Sequence, residues 1–296
     1  MKSAHHLTYR ALVFLSMRLK RHTPAKRKQW AHRLAKFFYQ VLPLRKKEAL
    51  NNLQNTFSKH SPAYWDNVLK QCYHFFSHNF LQFLAFPNSY PAEAISVSGR
   101  EHLDWALQEK RGVALVTGHF GAWEILAAWL GINRYPIVGI INRQKNRGAD
   151  RFFREIRESN GVEIFYRKTG LSFMYQALKD NKILGLASDQ DARRRGVFVP
   201  FLGRLASTPK GAARFHLQTG APIIFATCSQ TGNSYHLKFE PVVIPNPATV
   251  ENITQSFTSL LEKEVRKYPE QYFWFHRRWK TRPEAQSKST SEPTNT

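Results

Sequence analysis

His119 and Glu124 are the residues of this 296-residue chain whose types and spacing first suggest chemistry. His119 follows Gly118 at the end of the apolar run "VALVT" (113–117), and Glu124 comes five residues later in the otherwise apolar stretch "AWEILAAWLG". Within one regular helix a five-residue offset turns side chains about 140° apart, so the two cannot share a helix face. They can meet if His119 lies just before the helix, which Gly118 and Gly121 would allow. A carboxylate accepting the imidazole Nδ1–H fixes the tautomer, makes Nε2 more basic and stabilises the imidazolium. That is a general base without its own nucleophile. There is no GxSxG elbow, and neither Cys72 nor Cys228 sits in an electropositive turn. The economical reading is a base that activates a hydroxyl supplied by the substrate. On spacing alone, the pair reads equally well as a polar His at a helix start and a surface Glu.

Two further segments add polar groups at strand ends. "INRQKNRGAD" (141–150) puts Asn142 and Arg143 at the end of a strand, where α/β folds form their ligand crevice. "ASDQDARRRGVFVPFLGRLASTPKGAARF" (187–215) follows another strand end. It supplies Asp189 and Asp191, then Arg193, Arg194 and Arg195, then an apolar lip that includes Phe198 and Phe201. Carboxylates, guanidinium groups and aromatics in one loop suit a site handling both phosphate and hydrocarbon. The plainer reading is a solvated Arg turn followed by a core strand. His74 and His78 are spaced i,i+4, but without a third ligand they read as ordinary histidines and not as a metal site.

The elements that must position these groups follow from periodicity. Short apolar runs at 113–117, 137–141, 162–166, 183–188, 222–228 and 235–244 read as strands. Helical patterns at 122–130, 147–158, 171–179 and 209–218 fall between several of them, and 251–267 closes the series. The alternation indicates an α/β sheet with crossover helices beginning near Gly99. Residues 1–86 read as helical, broken at Pro24, Pro43 and Pro62, and "CYHFFSHNFLQFLAF" (72–86) is apolar almost all round, as in a buried or membrane-facing helix. The resulting organisation is a basic helical region at 1–98, an α/β core at 99–283 packed with it as one unit, and a disordered tail at 284–296.

Charge restricts the partners. The chain carries 44 Lys and Arg against 21 acids, a formal charge of +23, and residues 1–50 hold 13 of those cations with Glu48 as the only acid. Such a bias requires an anionic partner: nucleic acid, an anionic membrane, or an acidic substrate or carrier. No secretory signal peptide is evident, and the run "ALVFLSM" (11–17) is too short to span a bilayer. The interleaving of Leu, Phe, Trp and Tyr with basic residues over 9–44 suits a helix lying in a membrane surface over anionic headgroups. A nucleic-acid-binding role lacks any known signature and leaves Glu124, Asp189 and Asp191 unexplained.

His119-Phe-Gly-Ala-Trp-Glu124 resembles the H-x4-[DE] signature of glycerolipid-type acyltransferases. Together with "KKEALNNLQNTF", "DQDARRRGVFVPFLG", "ASTPKGAA" and "FWFHRRWKTRP", it resembles the bacterial lipid A biosynthesis acyltransferases, lauroyl and myristoyl transferases, over roughly residues 10–283. The resemblance implies a mixed, largely parallel central sheet flanked by helices, with a helical N-terminal region. It also implies transfer of a fatty acyl group from acyl carrier protein or acyl-CoA to a hydroxyl of a glycolipid, such as a lipid A precursor, at the cytoplasmic face of the inner membrane. Related acceptors would be a phospholipid or an aminolipid, and water in place of the acceptor would make the protein a hydrolase. His119 and Glu124 become the dyad, and Asn142, Arg143, Asp189, Asp191, Arg194 and Arg195 the substrate-binding candidates. Arg143 or a backbone N–H near Gly121 would support the oxyanion. Phe80, Phe198 and Phe201 are the acyl-channel candidates, and neither cofactor nor metal is required. Many members of that family carry an N-terminal membrane span, whereas the apolar run here lies between Arg10 and Arg18.

Overall fold

A computed structural model describes residues 2–283, and the expected tail at 284–296 lies outside them. Four helices come first: α1 (Lys2–Lys20), α2 (Pro24–Gln40), α3 (Lys46–Thr56) and α4 (Pro62–Leu84). The prolines read as breaks explain two of the starts. Pro24 and Pro62 occupy the first helical turn, and the hydroxyls of Thr23 and Ser61 accept the Lys26 and Tyr64 N–H groups.

The sheet contains β1 (Ile95–Ser98), β2 (Val113–Thr117), β3 (Ile137–Ile141), β4 (Glu163–Tyr166), β5 (Ile183–Ala187), β8 (Ile223–Thr231) and β9 (Ser234–Pro241), in the order β1-β9-β8-β2-β5-β3-β4. β2 pairs in parallel with β5 and β8, β3 in parallel with β4 and β5, and only the β8–β9 ladder is antiparallel. The expected mixed, largely parallel sheet is therefore present. It begins slightly earlier than Gly99, because the four-residue β1 pairs with β9. A separate hairpin, β6 (Val197–Phe201) and β7 (Arg204–Thr208), packs against α10 (Val250–Lys267). The remaining helices are α5 (Arg100–Gln108), α6 (Trp123–Ile132), α7 (Arg147–Ser159), α8 (Leu171–Lys179) and α9 (Gly211–Thr219).

Alternation along β2 sends side chains into two cores. Val113 and Leu115 join Ile125, Leu126 and Trp129 of α6 on one side, while Ala114 and Val116 join Phe257 and Leu261 of α10 on the other. The N-terminal helices are built onto this body. α1 lies on α7 so closely that a Cβ on Gly148 would meet the His5 carbonyl oxygen at 1.8 Å, and the Tyr9 hydroxyl donates to Glu155 at 2.7 Å. Among the described residues no helix is long and apolar enough to cross a membrane.

Candidate active site

The parallel register of β2 and β5 aligns Thr117 with Ala187. Two residues beyond each strand end therefore lie His119 and Asp189, 70 positions apart in sequence but side by side in space. The Ser188 N–H donates to the Thr117 carbonyl at 2.9 Å and carries the pairing one residue further. His119 Nδ1 lies 2.8 Å from Asp189 Oδ1, with 29% of the His side chain exposed and only 3% of the Asp side chain. The carboxylate on Nδ1 is thus that of Asp189, not Glu124 as the five-residue spacing suggested.

Glu124 makes a different bond. In the first turn of α6, its two oxygens accept from Arg157 Nε at 3.0 Å and Nη2 at 2.6 Å, a two-pronged pair bridging α6 and α7. Glu124 still acts on His119 through its charge. Burial pulls the imidazole pKa down, but the Asp189 charge and hydrogen bond, with the Glu124 charge, outweigh it and leave the pKa raised. Burial likewise works against the Asp189 carboxylate. The His119 side chain and backbone, together with the Arg278 charge, outweigh it and hold the Asp189 pKa below its ordinary value. Arg278 is almost fully buried and is fixed by bonds from Nη1 to the Ser207 carbonyl and from Nη2 to the Thr208 hydroxyl, each 2.6 Å.

The turn carrying His119 is framed by the C-terminal segment 269–280. The Phe273 N–H donates to the His119 carbonyl at 2.9 Å, and the Gly121 N–H to the Gln271 carbonyl at 2.8 Å. The Ala122 N–H donates to the Cys228 carbonyl at 2.7 Å. Of the backbone donors near Gly121, those of Gly121 and Ala122 are therefore already engaged. Gln190 brings a side-chain amide nitrogen to 3.4 Å from both imidazole nitrogens.

Beside His119 opens a cavity of about 590 Å3, within the range of small-molecule sites. Its walls are largely aromatic, with Phe76, Phe80 and Phe83 from α4 and Phe273 and Phe275 from the C-terminal segment. Trp123 and Phe273, which also line it, stand 5.3 and 6.3 Å from the His119 ring. Of the acyl-channel candidates, Phe80 lines this cavity. Phe198 and Phe201 do not. Inward alternation on β6 buries Phe201 against Tyr272 and Trp279, while Phe198 faces outward on the hairpin, and neither lines the cavity.

The other candidates are dispersed. Asp191 ties its loop to the C-terminal segment, accepting the Arg193 N–H at 3.2 Å and the Thr281 hydroxyl at 2.8 Å. Arg194 and Arg195 are exposed on a single 3-10 turn. Asn142 and Arg143 line a second cavity, and no hydrogen bond or ion pair links Arg143 to His119. Arg143 is not among the residues that line the aromatic cavity. Sequence reasoning overlooked Arg157, Gln190 and Arg278. Gln190 lies between the two aspartates of "DQD" and Arg278 lies in "FWFHRRWKTRP", so both fell inside quoted motifs, whereas Arg157 did not.

The chain belongs to the bacterial lipid A biosynthesis acyltransferase family, whose sequence profile it matches over residues 2–281. It is 28% identical over 191 residues to the phosphatidylinositol mannoside acyltransferase of Mycolicibacterium smegmatis, covering 63% of each chain. It is 31% identical over 204 residues to the lipid A biosynthesis lauroyltransferase of Escherichia coli, covering 67% of this chain and 66% of that one. To the lipid A biosynthesis palmitoleoyltransferase of Escherichia coli it is 27% identical over 206 residues, 68% of this chain and 67% of the other. The chain thus spans a little under two thirds of the length of the mycobacterial relative.

Proposed function

We propose that this protein is a lipid O-acyltransferase that moves a fatty acyl chain from a thioester, on acyl carrier protein or coenzyme A, to a hydroxyl of a membrane glycolipid such as a lipid A precursor. The observation that carries this reading is an imidazole whose Nδ1 is held by a buried carboxylate, beside an aromatic cavity of about 590 Å3. Nε2 of His119 takes the proton of the acceptor hydroxyl as its oxygen attacks the thioester carbonyl. The imidazolium that forms is stabilised by Asp189 and, at longer range, by Glu124. The C–S bond then breaks and the thiolate departs as a good leaving group. The Gln190 amide is suited to donate to the tetrahedral oxyanion.

The nucleophile comes from the substrate, because both cysteines are fully buried and burial raises their thiol pKa values. Phe80 and its aromatic neighbours hold the acyl chain. Membrane contact runs through exposed apolar residues of the N-terminal helical region, among them Phe14, Trp30 and Phe37 on helices and Leu42 in the α2–α3 connection, set among cations. This reading places the protein on the cytoplasmic face of the inner membrane as a peripheral or monotopic enzyme. The test is incubation of purified protein with acyl carrier protein or coenzyme A thioesters and extracted lipids, followed by mass spectrometry. A gain of one acyl group on a glycolipid is expected. Release of free fatty acid at the same rate with and without acceptor would identify a hydrolase instead.

A further inference from the structure

The second cavity, about 480 Å3, lies at the carboxyl ends of β3 and β4, and its lining includes Arg143, Lys145, Arg147 and Lys168. None of Lys145, Arg147 and Lys168 forms an ion pair among the described residues. Four like charges around one hollow repel one another while it is empty, and an anion relieves that repulsion.

The hollow is also held in shape from behind. Asp150, 7% exposed, accepts the Gln144 N–H on one oxygen and the Tyr166 hydroxyl on the other, each at 2.8 Å. Tyr166 in turn carries the Arg143 guanidinium over its ring at 4.2 Å, with Arg143 Nε 4.0 Å from Asp150. Asp150 therefore fixes the Arg143 fork without filling the hollow. Gln144 lines both this cavity and the aromatic one, so the two adjoin across a single side chain.

We infer that this cavity binds a phosphate group of one of the two substrates, gripped by Arg143, Lys145, Arg147 and Lys168, while the hydrocarbon of the reaction lies across Gln144 in the aromatic cavity. The inference rests on the acyl-transfer reading. A phosphate monoester suits the site better than a carboxylate does, because three oxygens and up to two charges can engage cations from several sides at once. The phosphate belongs either to the acceptor sugar or to a coenzyme A donor, whose monoester phosphate has three free oxygens, whereas the phosphodiester of a carrier protein has two.

The first arm of the test is binding alone. Calorimetric titration of the full chain with glucosamine 1-phosphate and with glucosamine should show binding of the phosphate sugar only. Arg143→Gln combined with Lys168→Gln should weaken it about tenfold or more. The exposed Lys145→Gln variant, which leaves the Asp150 clamp intact, should show a smaller loss in the same direction. Equal affinity for both sugars, or unchanged binding by folded variants, overturns the inference. The second arm is kinetic. A rise in the KM of a phosphorylated glycolipid acceptor with the donor KM unchanged assigns the phosphate to the acceptor, and the converse assigns it to the donor. If neither KM moves, the inference fails. If wild-type protein transfers no acyl group, the proposed reaction fails while the titration still decides the site.

Discussion

At the scale of single residues, the proposed catalysis depends on the charge state of His119. Transfer needs neutral Nε2, so the raised His119 pKa predicts that kcat/KM falls as pH drops through that value. Asp189→Asn removes the main group raising it, so the acid limb should move to lower pH while the plateau falls by about 10²–10⁴. A pH–rate profile of both proteins checks this, and an unmoved limb would show that another group titrates. His119→Ala should abolish acyl transfer while circular dichroism reports an intact fold. Wild-type turnover from that variant would sink the mechanism. The sequence singled out His119 but did not pair it with the carboxylate that lies beside it. Glu124 was the nearest acid in sequence, whereas Asp189 is brought in by strand register across 70 positions, which no local spacing encodes. Likewise nothing in "REIRES" indicated that Arg157 would claim Glu124.

At the scale of elements, local pattern was legible wherever it was long or sharply bounded. α8 matches its expected span of 171–179, and β2 and β3 match theirs, because apolar runs and turns bracket them. β1 escaped notice because "ISVS" is four residues long and only half-buried, stabilised by β9 rather than by its own pattern. The turn between β2 and α6 is sensitive to change. Gly121 has φ +63°, and a Cβ there would meet the Cys228 carbonyl oxygen at 2.0 Å. Gly121→Ala should therefore cost on the order of 3 kcal/mol, from left-handed strain together with backbone overlap. Urea unfolding measures it, with Gly211→Ala as the control. At Gly211 the added Cβ meets only Phe215, at 3.8 Å, and stability should change little.

At the scale of the whole molecule, the proposed membrane contact rests on the charge asymmetry of the chain. Lys26 and Lys28 are exposed on α2, but Arg27 between them is buried, its Nη1 bonded to the Leu19 and His22 carbonyls at the α1–α2 turn. Lys26→Glu with Lys28→Glu should weaken binding to anionic vesicles, each contact contributing about 1 kcal/mol, and leave neutral vesicles unaffected. Vesicle co-sedimentation measures this, and equal binding by both proteins would count against a membrane-facing α2. One feature of the architecture also orders events in time. The backbone around His119 is completed by Gln271 and Phe273, which are synthesised after every strand of the sheet. On the ribosome, a nascent chain that has already emerged through β9 still lacks the aromatic wall and the carbonyl partner that frame the base. The turn that carries His119 is therefore completed only when the last described segment of the chain is laid against it.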